Sequence, residues 1–376
     1  MRAGNCKLRL YPQYSVGNAN LNRIIPAEED VKKSYIKNLY TAALTAAVIS
    51  CLFSCSKNAG GDSRLNKVTV YSYDSFIGEW GPGPELEKRF EASTGYDLEF
   101  VDCGDAVQVL SRALLEKNAP QADVLVGIDN NLAPTAREAK ILTSYKPKDA
   151  DRIISEVLHK SLSSDWSLTP YDWSHFAMIY DSQSDVPAPS RLADLTKPVY
   201  AKKIILMDPR TSTPGLGFVA WTVAIFGNDY VNFWKALKPN ILTVAPGWSS
   251  GYGLFTKGEA PLVISYTTSP AYHVEYDGTD RYKALIFDEG HIMQVEGAGI
   301  VRGAPNEKGA KAFIDFLISL EAQEVLPLTQ WMYPANNSVR LPRSYQEAAP
   351  IANKNLTVST DQVEQAVDRV LSLLSN

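Results

Sequence analysis

The stretch KVTVYSYDSFIGEWGPGPELEKRFEASTGYDLEFVDCGDAVQVLSRALLEKNAPQADVLVGI (residues 67–128) alternates segments that have strand and helix patterns. Strand patterns occupy residues 67–73, 96–101 and 122–128, and helical patterns occupy residues 84–93 and 106–116. Strands that alternate with single helices form a parallel sheet, because each helix crosses over the sheet before the next strand begins. The sequence therefore predicts an α/β fold.

Polar and aromatic side chains follow the ends of these predicted strands. Ligands of open α/β sheets bind beyond the carboxyl ends of the strands. Tyr73, Asp105 and Asp129 lie at or just after such ends, and Asn130 comes directly after Asp129. We therefore predict that these four residues contribute to a ligand cleft.

A second α/β unit follows a long extended, aromatic segment at residues 168–181. Its predicted elements are a strand at 203–207, helices at 215–226 and 232–237, and a strand at 260–266. Residues 284–301 then lead to a predicted helix at 307–326 and a last helix at 361–374, where Asp361 and Glu364 resemble a capping box. We predict two α/β lobes joined by extended crossovers: residues 66–172 as the first part of lobe 1, 173–285 as lobe 2, and 286–376 as the return to lobe 1 with the C-terminal helices.

The composition limits the class of partner. The 376 residues are 45% hydrophobic and 21% charged, with a net charge of −5. A chain of this composition can bury a large core. The acidic balance argues against binding to a nucleic-acid backbone, which needs a basic face. We expect a small-molecule ligand, no nucleic acid, no cofactor and a monomeric protein.

The N-terminal residues 1–54 have the pattern of an export signal. Lysines precede an apolar run at residues 39–53, which is too short to span a bilayer comfortably. The run ends in LFSC, which resembles a lipobox, so we predict lipidation of Cys55, with Cys51 as the alternative. Residues 31–54 would be the lipoprotein signal peptide, residues 55–65 a tether, and translation would start at Val31. The mature protein would then be anchored to a membrane through the lipid.

A capped helix start is the sharpest local motif. The segment DPRTSTPGLGF (208–218) lies between a predicted strand and a predicted helix. Thr213 suits the N-cap position and Pro214 the first helical position. The free N–H groups of such a helix start bind anions, although a capped helix without a ligand has the same sequence pattern.

Several motifs together resemble the periplasmic thiamine-binding proteins of bacterial ABC importers. They are YSYDSF (71–76), WGPGP (80–84), GIDNNL (127–132), DPRTSTPGLG (208–217), GWSSGYGLFTKGE (247–259), SYTTSPAYH (265–273), EGHIMQVE (289–296) and WMYP (331–334). The resemblance implies a type II periplasmic-binding fold, in which two lobes close on the ligand around a hinge. It also implies an exported protein that delivers thiamine and its phosphates to an importer permease and its ATPase subunit.

The resemblance implies a set of binding residues as well. They are Tyr73, Trp80, Asp105, Ser212, Trp248, Tyr266, Tyr272 and Trp331. Their chemistry suits thiamine, because Trp and Tyr faces attract a quaternary cation by about 0.5 to 2 kcal/mol per contact. Asp105 or Asp129 can accept from the aminopyrimidine or face the cation, and Ser212 can hold a hydroxyl or a phosphate.

Two other functions remain open at this stage. Ferric-iron-binding proteins share the implied fold, but they use paired tyrosines, and the four histidines of this chain show no ligand spacing. We therefore expect no metal site. Thiamine-degrading transferases also resemble the fold and use a cysteine nucleophile, for which Cys103 is the candidate. No base is evident beside Cys103 in the sequence, so we expect a binding protein and not an enzyme.

Overall fold

The structure, a computed structural model, describes residues 66–375. The predicted signal region, the tether, Cys55 and the proposed start at Val31 lie outside the described residues. Within residues 66–375, no helix combines the length and the apolar character needed to cross a bilayer.

The first strands and helices follow the predicted alternation. Strands β1 (Lys67–Ser72), β2 (Asp97–Asp102) and β3 (Val124–Asp129) are parallel, with β1 in the middle. Helices α1 (Asp74–Ile77) and α2 (Gly83–Thr94) lie between β1 and β2, and α3 (Ala106–Leu115) lies between β2 and β3. The bounds differ from the predicted ones by at most two residues, apart from the short helix α1, which the sequence did not predict.

The remaining elements complete two halves of one sheet. The strands are β4 (Leu142–Thr143), β5 (Thr169–Asp181), β6 (Ile204–Met207), β7 (Ile241–Ala245), β8 (Leu262–Tyr266), β9 (Tyr282–Ala284), β10 (His291–Val301), β11 (Tyr333–Pro334) and β12 (Asn355–Leu356). The helices are α4 (Ala133–Glu138), α5 (Ala150–Ile153), α6 (Glu156–Leu162), α7 (Thr213–Phe226), α8 (Tyr230–Leu237), α9 (Trp248–Thr256), α10 (Ser269–Glu275), α11 (Glu307–Leu317), α12 (Leu320–Gln323), α13 (Arg343–Ala348) and α14 (Thr360–Ser375). Short 3-10 turns of helix occur at Leu192–Thr196, Pro198–Tyr200, Gly227–Asp229, Lys238–Asn240 and Leu326–Leu328.

Two long antiparallel strands connect two parallel groups of strands. The order along the sheet is β2-β1-β3-β10-β5-β8-β6-β7. Strands β10 and β5 run side by side, and each contributes to two separate hydrophobic cores. On β5, Tyr171 belongs to the first core and Phe176 to the second; on β10, Val295 belongs to the first and Ile292 to the second. The predicted α/β class with extended crossovers is confirmed.

The helix predicted at residues 307–326 is wrong in its second half. Helix α11 ends at Leu317, and Ser319 starts the short helix α12 by accepting the N–H of Ala322 on its side chain at 3.3 Å. A serine that caps a new helix competes with continuation of the old one. The apolar spacing continued through the break, so periodicity alone could not locate it.

The last helix, α14, packs on the second core. Ala366 and Val370 are fully buried there. The predicted capping box of Asp361 and Glu364 is wrong, because Ser359 and Gln362 make the reciprocal hydrogen bonds at the helix start instead.

Candidate functional site

A cavity of about 560 Å³ lies between the two cores, and aromatic side chains form much of its wall. The aromatic lining residues are Tyr73, Trp80, Trp248, Tyr252, Tyr266, Tyr272 and Trp331. Six of them were predicted from the sequence. The side chain of Trp80 is 84% exposed and that of Tyr272 is 38% exposed, so both offer ring surface to solvent or to a ligand.

The charges of the cavity have one sign. Asp74, Glu79, Asp105 and Glu296 line it, and none of the described lining residues is Lys, Arg or His. Carboxylates and aromatic faces both attract organic cations. The arrangement therefore suits a flat, positively charged ligand.

Trp248 is fixed at one wall by contacts on both its edge and its face. Its indole N–H donates to the Ser265 hydroxyl at 2.8 Å. Its ring stacks on Tyr252, with ring centroids 5.0 Å apart and an interplanar angle of 18°. Tyr252 is held in turn by a hydrogen bond of 2.9 Å between its hydroxyl and Nε2 of His273. The indole is thus oriented before any ligand arrives.

Trp331 has a strained backbone. Its φ of 58° lies in the left-handed region, which bulky residues rarely adopt. The Leu326 carbonyl holds the turn by accepting the N–H groups of both Gln330, at 2.8 Å, and Trp331, at 3.2 Å. The indole meets Tyr272 edge to face at a centroid distance of 5.3 Å. The strain places this ring at the cavity wall.

Tyr73 depends on a glycine beneath it. A Cβ atom on Gly127 would come within 2.5 Å of the Tyr73 ring, and Gly127 has a φ of 101°. Only glycine satisfies both the close approach and the positive φ. Strand β3 therefore leaves room for the ring of Tyr73, which forms the floor of the cavity.

Glu296 lies at the same floor and is the centre of a hydrogen-bond network. Its Oε2 atom accepts the hydroxyl of Tyr73 at 2.9 Å, the hydroxyl of Tyr171 at 3.2 Å and the amide of Gln330 at 3.3 Å. Burial raises the pKa of Glu296 above its usual range, although the hydrogen bonds from Tyr73 and Tyr171 oppose the rise. Glu296 is not among the residues predicted from the sequence, although it ends the motif EGHIMQVE.

Asp105 lines the cavity, but backbone groups already occupy both of its oxygens. Oδ1 accepts the N–H of Ala106 at 2.7 Å and of Thr213 at 3.3 Å, and Oδ2 accepts the N–H of Trp248 at 3.0 Å. Burial raises the pKa of Asp105, and the N–H donors oppose the rise. Asp105 therefore connects the starts of α3, α7 and α9.

The structure corrects the predicted helix start at residue 213. Helix α7 begins at Thr213, so the N-cap is Ser212 and Pro214 is the second helical residue. Ser212 is buried behind the cavity wall and is not a lining residue. Its hydroxyl is close enough to the Asp105 carboxylate to lower the pKa of that group, but no partner lies within hydrogen-bonding geometry.

Asp129 and Asn130 do not line this cavity, contrary to the sequence prediction. The Asp129 carboxylate is fully buried and accepts the backbone N–H of Leu132 at 3.0 Å and the amide of Gln294 at 3.0 Å. Asn130 accepts the N–H of Val295 at 2.8 Å and lines a separate cavity beside α14. Strand β10 inserts next to β3 and covers this strand end.

Cys103 lies outside the cavity lining. Its thiol contacts the Val101 carbonyl at 3.7 Å and the Arg112 guanidinium at 3.9 Å. Burial raises the pKa of this thiol, which lowers the fraction present as the nucleophilic thiolate. Among residues 66–375, no group of three or more His, Cys, Asp and Glu side chains is arranged to hold a metal ion.

This chain is similar in sequence to known bacterial binding proteins. The sequence model of a family described as bacterial extracellular solute-binding protein matches residues 119–365. A thiamine-binding periplasmic protein of Brucella abortus biovar 1 (strain 9-941) is 41% identical over 314 residues, which cover 83% of this chain and 92% of the relative.

Solved structures agree with this likeness. A periplasmic thiamin binding protein has a TM-score of 0.75 and 35% identity, and the match covers 82% of this chain and 96% of that protein. A ferric binding protein from Campylobacter jejuni has a TM-score of 0.67 but 17% identity, with 82% of this chain and 98% of that protein covered, so it shows the fold alone. The periplasmic-binding fold predicted from the sequence is confirmed.

Proposed function

Because the chain belongs to the bacterial extracellular solute-binding proteins, we propose that it captures thiamine in the periplasm and delivers it to an ABC importer. The observation that carries the proposal is the aromatic cavity between the lobes, whose described lining includes carboxylates but no basic side chain. Thiamine joins a permanently cationic thiazolium ring to a flat aminopyrimidine. Both rings fit between aromatic faces, and the cation fits the acidic lining.

We propose different roles for the aromatic residues that line the cavity. Trp248 and Trp331, whose rings are fixed by neighbouring side chains, would stack on the two rings of thiamine. Trp80 is exposed and would cover the ligand at the cavity mouth. Tyr266 and Tyr272 would complete the aromatic wall. A cavity of this volume is ordinary for a small-molecule site.

Binding of phosphorylated thiamine would require Asp105 to give up some of its present hydrogen bonds. Thr213 and Trp248 line the cavity at the starts of α7 and α9, where free N–H groups could bind a phosphate, and Asp105 now accepts the N–H groups of both. The buried hydroxyl of Ser212 adds a donor at the same place. We therefore propose that the N–H groups of Thr213 and Trp248, together with the Ser212 hydroxyl, form a phosphate corner. This corner would bind the phosphate when Asp105 releases the two N–H groups.

Neither alternative function has support in the cavity. Cys103, the candidate nucleophile of a thiamine-degrading transferase, does not line it, and the described partners of its thiol are the Val101 carbonyl and the Arg112 guanidinium. For ferric iron, the tyrosines of the wall would be the ligands, yet the Tyr73 hydroxyl donates to Glu296 and the Tyr252 hydroxyl pairs with His273. We propose a binding role without catalysis.

The proposed partners follow from this role. An importer permease with its ATPase subunit would receive thiamine, and the protein would act as a monomer held at the membrane by lipid on Cys55. The proposed lobe limits, 66–172, 173–285 and 286–376, put one crossover between the lobes on β5 and the other just before β10.

Equilibrium dialysis of the purified protein against thiamine, followed by mass spectrometry of the recovered ligand, tests this function. We expect saturable retention of intact thiamine by the wild type and by Cys103→Ser. Thiamine that is consumed by the wild type and spared by Cys103→Ser would establish the transferase instead. Retention of ferric iron without retention of thiamine would establish the metal-binding alternative.

A further inference from the structure

The two crossover strands carry a pair of buried carboxyl groups beneath the cavity. Glu296 on β10 lies directly opposite Asp172 on β5. Asp172 is 0% exposed and Glu296 is 3% exposed. Side chains directly opposite each other on neighbouring strands have Cβ atoms about 4.5 to 5.5 Å apart, and these two carboxyl groups are close enough to shift each other's pKa. Two buried carboxyl groups at this separation do not both ionise at neutral pH.

The partners of the two groups decide which one keeps a proton. Glu296 accepts from Tyr73, Tyr171 and Gln330. Among the described residues, no N–H or O–H group lies in hydrogen-bonding geometry with either oxygen of Asp172. The amide of Gln330, which also donates to Glu296, is close enough to lower the pKa of Asp172. A negative charge is more stable on the carboxyl group that has donors. Asp172 therefore stays protonated, and its O–H serves as a further donor to Glu296.

Among the described residues, no cation acts on the pair to stabilise the ionised form of Glu296, so this group partly retains its own proton near neutral pH in the ligand-free protein. The titratable groups that act on the pair are Tyr73, Tyr171, Tyr266, Tyr345 and Asp129. Burial is the largest cause that raises the pKa of Glu296, and the charge of Asp129 raises it further. None of these groups is a cation. Glu296 lines the cavity, so a cation bound there can supply the missing charge.

The resulting inference rests on the proposed function, because the cation is that of thiamine. We propose that Glu296 is the counter-ion of the bound thiazolium and exchanges its own proton for that cation, while Asp172 stays protonated. On binding, the O–H bond of Glu296 breaks and the proton passes to the solvent buffer. The affinity for thiamine therefore increases with pH through the range in which Glu296 of the ligand-free protein titrates.

Calorimetric titration of the full chain with thiamine tests this exchange. Titrations from about pH 5.5 to about pH 8, in buffers of different ionisation enthalpy, count the released protons. We expect the wild type to release up to about one proton per thiamine and to bind more tightly as pH rises. Glu296→Gln should release none, lose the pH dependence and bind about tenfold or more weakly near neutral pH.

Two variants separate this role from a general effect of charge. Glu259→Gln removes an exposed carboxylate outside the cavity and should behave as the wild type. Asp172→Asn replaces the O–H donor by an N–H donor and should retain both the proton release and the pH dependence. Proton release that persists in Glu296→Gln, or that disappears in Asp172→Asn, would overturn the assignment.

The titration also separates this inference from the proposed function. If wild-type protein gives no binding heat and retains no thiamine in dialysis, the proposed function itself fails. If it binds thiamine with the same affinity at every pH and with no buffer dependence, only the proton exchange fails.

Discussion

The carboxylate of Asp105 accepts the backbone N–H of Trp248 at 3.0 Å. Asp105 caps α3 at the first core, and Trp248 begins α9 at the second. The same carboxylate accepts the N–H of Thr213 at the start of α7. One negative charge thus neutralises the positive ends of three helices and connects the two lobes beside the cavity.

The first prediction concerns ligand selectivity at Asp105. Asp105→Asn keeps an oxygen that can cap α3 but removes the charge that repels a phosphate at the starts of α7 and α9. We expect the affinity for thiamine diphosphate to improve relative to that for thiamine by about 1 kcal/mol or more, since this is the Coulomb energy of two unit charges about 4 Å apart in water. Calorimetry with both ligands measures the ratio, and an unchanged ratio would contradict the proposed phosphate corner.

The second prediction concerns the aromatic wall. Trp248→Ala and Trp331→Ala should each weaken thiamine binding by about 1 to 3 kcal/mol, because each removes a stacking and cation-π surface. Trp166→Ala is the matched control for Trp331, since Trp166 also has a positive φ of 58° but lies outside the cavity lining.

Calorimetric affinities of the three variants decide this point. Equal losses in all three would indicate a general structural effect, and no loss at Trp248 or Trp331 would exclude these rings as ligand contacts.

The third prediction concerns the glycine under Tyr73. Gly127→Ala places a Cβ about 2.5 Å from the Tyr73 ring at a φ of 101°. We expect the free energy of unfolding to fall by about 2 to 4 kcal/mol from the clash and the backbone strain, and thiamine binding to weaken because Tyr73 moves. Gly253→Ala, where the added Cβ meets nothing within 4 Å, is the control for stability only, because Gly253 itself lines the cavity. Similar effects of the two variants in chemical denaturation would contradict this account.

The fourth prediction links stability to pH through Glu296. Its pKa is raised in the folded protein, so the unfolded chain ionises this group first as pH rises from about 4. Ionisation therefore favours the unfolded state, and the ligand-free wild type should lose stability relative to Glu296→Gln as pH increases.

Thermal unfolding without ligand, at about pH 4 and about pH 8, measures this difference. We expect the free energy of unfolding of Glu296→Gln, relative to that of the wild type, to be higher by about 1 to 3 kcal/mol at the upper pH than at the lower pH. A stability difference that is the same at both pH values would mean that Glu296 has an ordinary pKa.

Local sequence patterns predicted the elements whose periodicity is clear. The alternation from β1 to β3 was predicted because the apolar spacing of these strands and helices is a local signal. Helix α9 was missed, because Gly251 and Gly253 lower the helix propensity of its sequence. Its stability comes from burial of Tyr252 and Phe255 in the second core, which no local pattern reveals.

The candidate site could be predicted from the sequence where the type of residue itself indicated a contact with the ligand. All seven aromatic wall residues lie in the motifs that carry the resemblance, and six of them are among the binding residues that it implies. Asp129 was predicted at the ligand cleft but does not line the cavity. Strand β10 inserts beside it, and the amide of Gln294 donates a hydrogen bond to its carboxylate. Glu296 was missed because its partner Asp172 lies on another strand, more than a hundred residues earlier in the chain. Pairing across a sheet is not a local property of the sequence.

The most direct test of the account is a calorimetric titration of the purified wild-type protein with thiamine near neutral pH. The aromatic, acidic cavity predicts saturable binding of one thiamine per chain, with the proton release that the Glu296 exchange requires. Absence of saturable binding of thiamine by correctly folded protein would contradict the central claim.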